Sequence, residues 1–215
     1  MRFESVAEFA RSGFRPRVCI VGTGPAGLSL ALRLQQRNVP CLLVEAGGYD
    51  FSEASQDIYR GDVIGDRYPA LQATRLRQFG GSRGRWSGWV RPLDASAFEP
   101  RAYMPGSGWP IRSTDLEPYA PAADDILKVR AHLPDRQMTP DIDYIHYRCG
   151  PPVRFGTEYR KAVEQSRSIG LLLNAPVLEL VPGTGRIESV KVSQGSATRD
   201  IRVDQVCVCN GPTAS

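Results

Sequence analysis

The sequence predicts an α/β fold built on parallel strands. Three observations carry that reading. An apolar run at residues 18–21, VCIV, feeds a glycine turn. A stretch with apolar residues at helical spacing follows it. A second apolar run at residues 41–44, CLLV, then ends in an acid. Strand, helix and strand within about 30 residues make a βαβ unit, whose two strands run parallel.

Residues 1–16 read as a short leading helix and a linker. In residues 17–48, Gly22, Gly24 and Gly27 hold the GxGxxG spacing at the strand-to-helix junction. The first glycine permits a tight turn, the second lets the backbone approach a pyrophosphate, and the third lets the helix pack close to the strand. Pro25 takes the first helical position, where a missing N–H costs nothing. The remaining open N–H groups and the helix dipole favour an anion there. Leu28, Ala31, Leu32 and Gln35 continue the helix on one face. Glu45 ends the second strand, 18 residues beyond Gly27, where a carboxylate can meet a ribose. A turn made only for its shape would not place an acid there. The carboxylate also favours a free 2′-hydroxyl, hence NAD or the adenosine half of FAD. Gly22, Thr23, Gly24, Pro25, Ala26, Gly27, Glu45 and Ala46 are the nucleotide contacts expected here.

Composition narrows the alternatives. The 215 residues can form one large or two small domains. No apolar run is long enough to span a membrane, and the N-terminal stretch carries acids without an apolar core, so no secretory leader is expected. A net charge of +4 with scattered basic residues shows no nucleic-acid module. Cys19, Cys41, Cys149, Cys207 and Cys209 read as reduced thiols of a cytoplasmic protein; Cys207 and Cys209 lack the partners of a metal or redox site. His132 and His146 are the only histidines, both in loop-rich sequence, and no metal site is expected.

Residues 49–74 are polar and give little structural signal. Residues 74–101, TRLRQFGGSRGRWSGWVRPLDASAFEPR, are the second informative stretch. Gly80, Gly81, Gly84 and Gly88 make a backbone that can wrap a ligand closely. Ser82 and Ser87 offer hydroxyls, and Trp86 and Trp89 can wall an aromatic ring. Arg75, Arg77, Arg83, Arg85 and Arg91 form the densest positive charge in the chain. From these residues alone, a cofactor loop and a solvated basic loop with core tryptophans stand equally open.

GTGPAG with VEAGG, then FGGSRGRWSGWVRPLD, then SGWPIRSTDLEPY at 107–119 resemble the glucose–methanol–choline oxidoreductase family. The likeness is greatest to its bacterial sugar and polyol dehydrogenases and pyranose-oxidase-like enzymes. In the third motif Thr114 and Glu117 read as a capping box, with a bend or restart near Pro121. Residues 157–169 read as a helix capped by Thr157 and ended by Gly170. Beyond it, turns at ProGlyThrGly and GlnGlySer separate strand-like runs. These resemble the family's β-meander, in which Val177 corresponds to the valine whose backbone meets the adenine. Residues 206–211, with Asn210 and Gly211, resemble the strand and turn that return beside the cofactor.

The resemblance implies a Rossmann-like FAD-binding domain of the glutathione-reductase type with a β-meander, incomplete relative to the family. It spans residues 1–215, with the nucleotide unit at 17–48, the flavin loop at 74–91 and the meander and returning strand at 171–211; residues 90–150 build part of the substrate-facing region. Gly80, Gly81, Ser82, Arg85, Trp86 and Ser87 become expected flavin contacts. Arg85 stands where the covalent branch has a histidine, which implies non-covalent FAD. No catalytic residue is expected in this chain. The substrate domain and the catalytic histidine are expected on a second polypeptide, and the reaction is oxidation of an alcohol or sugar CH–OH to a carbonyl. A non-catalytic FAD-binding scaffold and a truncated fragment are the alternatives. An NAD-dependent dehydrogenase fits the glycine loop and meander less well.

Overall fold

The computed structural model describes residues 1–130 and 133–211. The chain divides into two units, residues 1–85 with 154–215 and residues 86–153.

The first unit opens with a two-residue strand β1 (Arg2–Phe3) and helix α1 (Val6–Arg11). Ser5 caps α1, its Oγ accepting from the Glu8 N–H at 3.0 Å. β2 (Val18–Val21), α2 (Pro25–Gln36) and β3 (Cys41–Val44) form the expected βαβ unit, with Pro25 in the first helical turn. A Cβ on Gly27 would lie 2.1 Å from the Gly22 carbonyl oxygen, so only glycine lets the helix sit this close to its strand. Polar residues 49–74 hold two single-turn helices, α3 (Glu53–Gln56) and α4 (Leu71–Thr74).

The second unit is loop-rich. β4 (Trp89–Val90) comes first; helices α5 (Ser113–Leu116) and α6 (Ala120–Leu127) follow. The cap expected at Thr114 lies at Arg112 instead, whose N–H donates to the Asp115 carboxylate at 2.8 Å. The acid three residues after Arg112 wins over Glu117, and α6 restarts with Pro121 in its first turn. β5 (Arg136–Thr139) and β6 (Ile142–Tyr144) form a hairpin, and β7 (Arg148–Cys149) pairs with β4. Buried Arg148 pairs with Asp124 and donates to the Arg130 carbonyl at 2.9 Å. Trp109 and Tyr119, for which the sequence favours ordinary packing over substrate contact, are exposed.

Back in the first unit, α7 (Phe155–Glu158) and α8 (Arg160–Gln165) replace the single helix expected over 157–169. The chain leaves the helix at Ser166, whose Oγ accepts from the Ser168 and Ile169 N–H groups. Ile169 and Gly170 therefore belong to β8 (Ile169–Leu172), not to a helix and its stop. Gly170 is a packing glycine: its Cβ would meet Phe14, Leu42 and Phe3 within 3.1 Å. Residues 171–172 also leave the expected meander for this strand. The meander itself is β9 (Val177–Pro182), β10 (Ile187–Gln194) and β11 (Ala197–Arg202), turning where the sequence placed its turns. β12 (Gln205–Val208) then returns to β2.

The main sheet has the order β1-β8-β3-β2-β12, all parallel. β3 and β8 are buried along their whole length, as strands covered on both faces must be. Val190, Val192 and Ile201 of the meander share a core cluster with Leu42, Val44, Leu172 and the α1 side chains Val6 and Phe9. Each such buried aliphatic contributes on the order of 1.5–3 kcal/mol. β3 and β12 flank β2 on opposite sides, so the chain switches direction across the sheet at β2. Ligands of open parallel sheets lie beyond the strand C-termini at such a point.

Candidate functional site

The turn after β2 is fixed from below by Glu45. The Glu45 carboxylate accepts the Thr23 N–H at 2.9 Å, the Thr23 hydroxyl at 2.6 Å and the Gly47 N–H at 2.9 Å. The residue is 6% exposed. Burial pushes its carboxyl above the ordinary range; the three donors and the charge of Arg77 push it back only in part. A carboxylate offers about four acceptor positions. Three are spent inside the chain, so Glu45 keeps room for one further donor, such as a ribose hydroxyl. Sequence reading gave it the ribose and missed that it first holds the glycine turn.

A second layer crosses above. The Gly80 N–H donates to the Thr23 carbonyl at 3.1 Å, and the Phe79 N–H to that of Gly48 at 2.8 Å. Gly47 allows this crossing, because a Cβ there would lie 2.0 Å from the Arg77 carbonyl oxygen. At the other end of the sheet, the Cys209 N–H donates to the Val21 carbonyl at 2.8 Å and holds Asn210 and Gly211 beside the turn.

These segments enclose a crevice of about 630 Å³ at the C-terminal ends of β2, β3 and β12. It brings together Gly22, Thr23, Gly24, Pro25, Ala26, Glu45, Ala46, Gly81, Ser82, Asn210 and Gly211, all expected from sequence. Tyr59, Arg75, Leu76, Arg77, Val208 and Cys209 complete it. Ala46, Tyr59, Arg77, Val208 and Asn210 also wall a neighbouring, mostly apolar hollow of about 780 Å³, which contains Val177. Both volumes fall in the range of small-molecule sites.

Gly27 is buried behind the turn, and Gly80 is buried against Gly156. Arg85 is exposed, its guanidinium 5.7 Å from the Phe51 ring centre. Trp86 and Ser87 belong to the second unit, where the Trp86 indole N–H donates to the Val153 carbonyl at 2.9 Å. His132 and the Arg83 side chain lie outside the described residues.

Three features fit a dinucleotide in the crevice. Gly24 has nothing within 4 Å of where a Cβ would stand. The crevice also holds Pro25 and Ala26 at the N-terminus of twelve-residue α2, with no acid in its first turn. Arg75 lines the same space, and its buried Nε has no hydrogen-bond partner. Open backbone, helix dipole and a cationic side chain together suit a diphosphate. The described residues contain no group of three or more metal-ligating side chains.

No protein-family model matches the chain, and neither does any curated protein. Solved structures do. The chain is similar to pyridoxine 4-oxidase from Mesorbium loti, with a TM-score of 0.59 and 20% identity over 92% of this chain and 50% of that one. It is also similar to formate oxidase, with a TM-score of 0.50 and 19% identity over 91% of this chain and 45% of that one. At this identity the likeness is one of fold. The chain spans about half the length of the structures it matches. No helix among the described residues is long and apolar enough to cross a membrane.

Proposed function

We propose that the chain is the FAD-binding part of a glucose–methanol–choline-type oxidoreductase, a Rossmann-like domain of the glutathione-reductase type. The observation that carries this reading is the crevice at the β2 switch point, where Gly24, the α2 N-terminus and two arginines face one space beside an apolar hollow. In this reading the α2 N–H groups, Gly24 and the arginines receive the pyrophosphate. Glu45 takes one ribose hydroxyl, and the hollow around Val177 takes the adenine. Bound FAD supplies a hydride acceptor for oxidation of an alcohol or sugar CH–OH to a carbonyl. The flavin is held non-covalently, because Arg85 and not a histidine precedes Trp86.

The base that takes the substrate hydroxyl proton is assigned to a second polypeptide, which also carries the substrate domain. Five free cysteines suit a reducing, cytoplasmic compartment. The test is a chromatogram of nucleotide extracted from the purified chain. FAD is expected; NAD in its place overturns the flavin assignment. Alcohol or sugar oxidation by the lone chain overturns the two-chain arrangement.

A non-catalytic FAD-binding scaffold is the second reading, favoured by the internal engagement of Glu45. It predicts that removing FAD releases the partner while no assembly of the two turns over an alcohol.

A further inference from the structure

The cationic wall of the crevice is built from residues that belong to no strand ladder. Residues 72–77 cross from α4 toward the glycine loop, and Leu76 is buried. Buried main-chain groups outside a ladder need other partners. Gln56 supplies three of them. Its side-chain N–H groups donate to the Gln72 carbonyl at 2.8 Å and the Arg75 carbonyl at 2.5 Å, and its side-chain oxygen accepts the Arg77 N–H at 3.0 Å. Two acceptors and one donor fix a single orientation of the amide. The residue is 4% exposed. Ser82 accepts the Leu76 N–H between these contacts at 3.2 Å, and the Ser55 hydroxyl accepts from the Arg77 guanidinium at 2.8 Å.

We propose that Gln56 is a positioning residue for nucleotide diphosphates: its amide clamp sets Arg75 and Arg77 as the cationic wall of the crevice. This rests on the dinucleotide reading of that crevice. The side-chain hydrogen bonds of Gln56 go to main chain of the arginine segment, so it acts through the arginines. Arg75 brings the second observation: it lines the crevice, its buried Nε has no hydrogen-bond partner, and its Nη1 donates to the neighbouring Thr74 hydroxyl at 3.0 Å, so the guanidinium has no acid of its own to hold it there. A fixed fork meets phosphate oxygens without first having to be ordered, whereas a loose one gives up part of that gain.

The experiment titrates the full chain with ADP and with adenosine by calorimetry. In Gln56→Met, which keeps the volume and loses the clamp, ADP binding weakens roughly ten- to hundredfold, the scale of one lost charge-assisted contact. Adenosine binding stays as in the wild type, which a general loosening of the fold would not allow. Arg75→Ala keeps the main-chain partners of Gln56 and weakens ADP by a similar factor. The double variant is no weaker than the weaker single one, because Gln56 acts through that arginine. Equal loss of ADP and adenosine in Gln56→Met overturns the proposal. So does unchanged ADP binding by Arg75→Ala, whether or not Gln56→Met folds. A wild-type chain that binds ADP while Gln56→Met binds it equally well overturns the clamp alone; a wild-type chain that binds neither ligand overturns the dinucleotide reading with it.

Discussion

Replacing Glu45 by glutamine tests the central hydrogen-bond network. The wild-type carboxylate accepts three donors, two from Thr23 on one oxygen and one from Gly47 on the other. An amide has one acceptor oxygen. With that oxygen toward Thr23, the new NH2 faces the Gly47 N–H; turned around, it faces the Thr23 N–H. Either way one buried backbone donor is orphaned, at about 1–3 kcal/mol. Removing a charge whose burial is unfavourable returns part of this, so a net loss of about 1–2 kcal/mol is expected at neutral pH. For a chain of this size that is roughly 2–8 °C in Tm. The pH dependence has a definite sign. The folded carboxyl titrates above its ordinary value, so the folded state holds the proton longer than the unfolded one. Wild-type stability therefore falls as pH rises from the ordinary carboxylate value through the folded one, and is flat above it. The glutamine side chain does not titrate and has no such slope, so the Glu45→Gln penalty is largest in acid and shrinks as pH rises through that window. Thermal melts of both chains across the acid range read it out. A variant as stable as the wild type throughout, or a gap that widens with rising pH, refutes the reasoning.

Other outcomes follow from single residues. Gly24 sits at φ −66° with open space where a Cβ would be, so Gly24→Ala leaves Tm within about 1–2 °C of wild type; FAD binding, read by flavin fluorescence quenching, falls roughly tenfold or more because the methyl occupies the approach to the phosphates. A Gly24→Ala chain with undiminished FAD binding contradicts the placement of the diphosphate. Burial pushes the Cys19 and Cys41 thiols up to about 12, while Cys149 is exposed. Iodoacetamide on the native chain therefore labels Cys149 first and Cys19 and Cys41 only on unfolding; mass spectrometry showing early Cys41 labelling contradicts the buried strand.

The βαβ unit was legible because each of its residues carries a local signal: apolar runs, glycines with distinct steric tasks, and an acid at a fixed distance. Seven of its expected contacts accordingly line one crevice, and Gly81, Ser82, Asn210 and Gly211, which the resemblance implied, line it with them. β1 was not legible, since a two-residue strand has no periodicity; it exists because Phe3 packs on Phe9, ring centres 5.3 Å apart. β8 was misread because Ile169 extends a helical pattern and Gly170 reads as its stop, and only the neighbours Phe14, Leu42 and Phe3 reveal what Gly170 is for. Gln56 gave no signal in a polar stretch, because its importance lies in three main-chain partners 16 to 21 residues away. Arg75 and Arg77 were visible as charge, but only their anchorage shows that they line the crevice.

The visible absorbance spectrum of the purified full chain, before and after incubation with FAD and removal of the excess, tests the central claim most directly. All described walls of the crevice come from this chain, so flavin bands that stay with the protein are predicted. A spectrum without flavin bands after that incubation, from a chain that is folded by circular dichroism, contradicts the account.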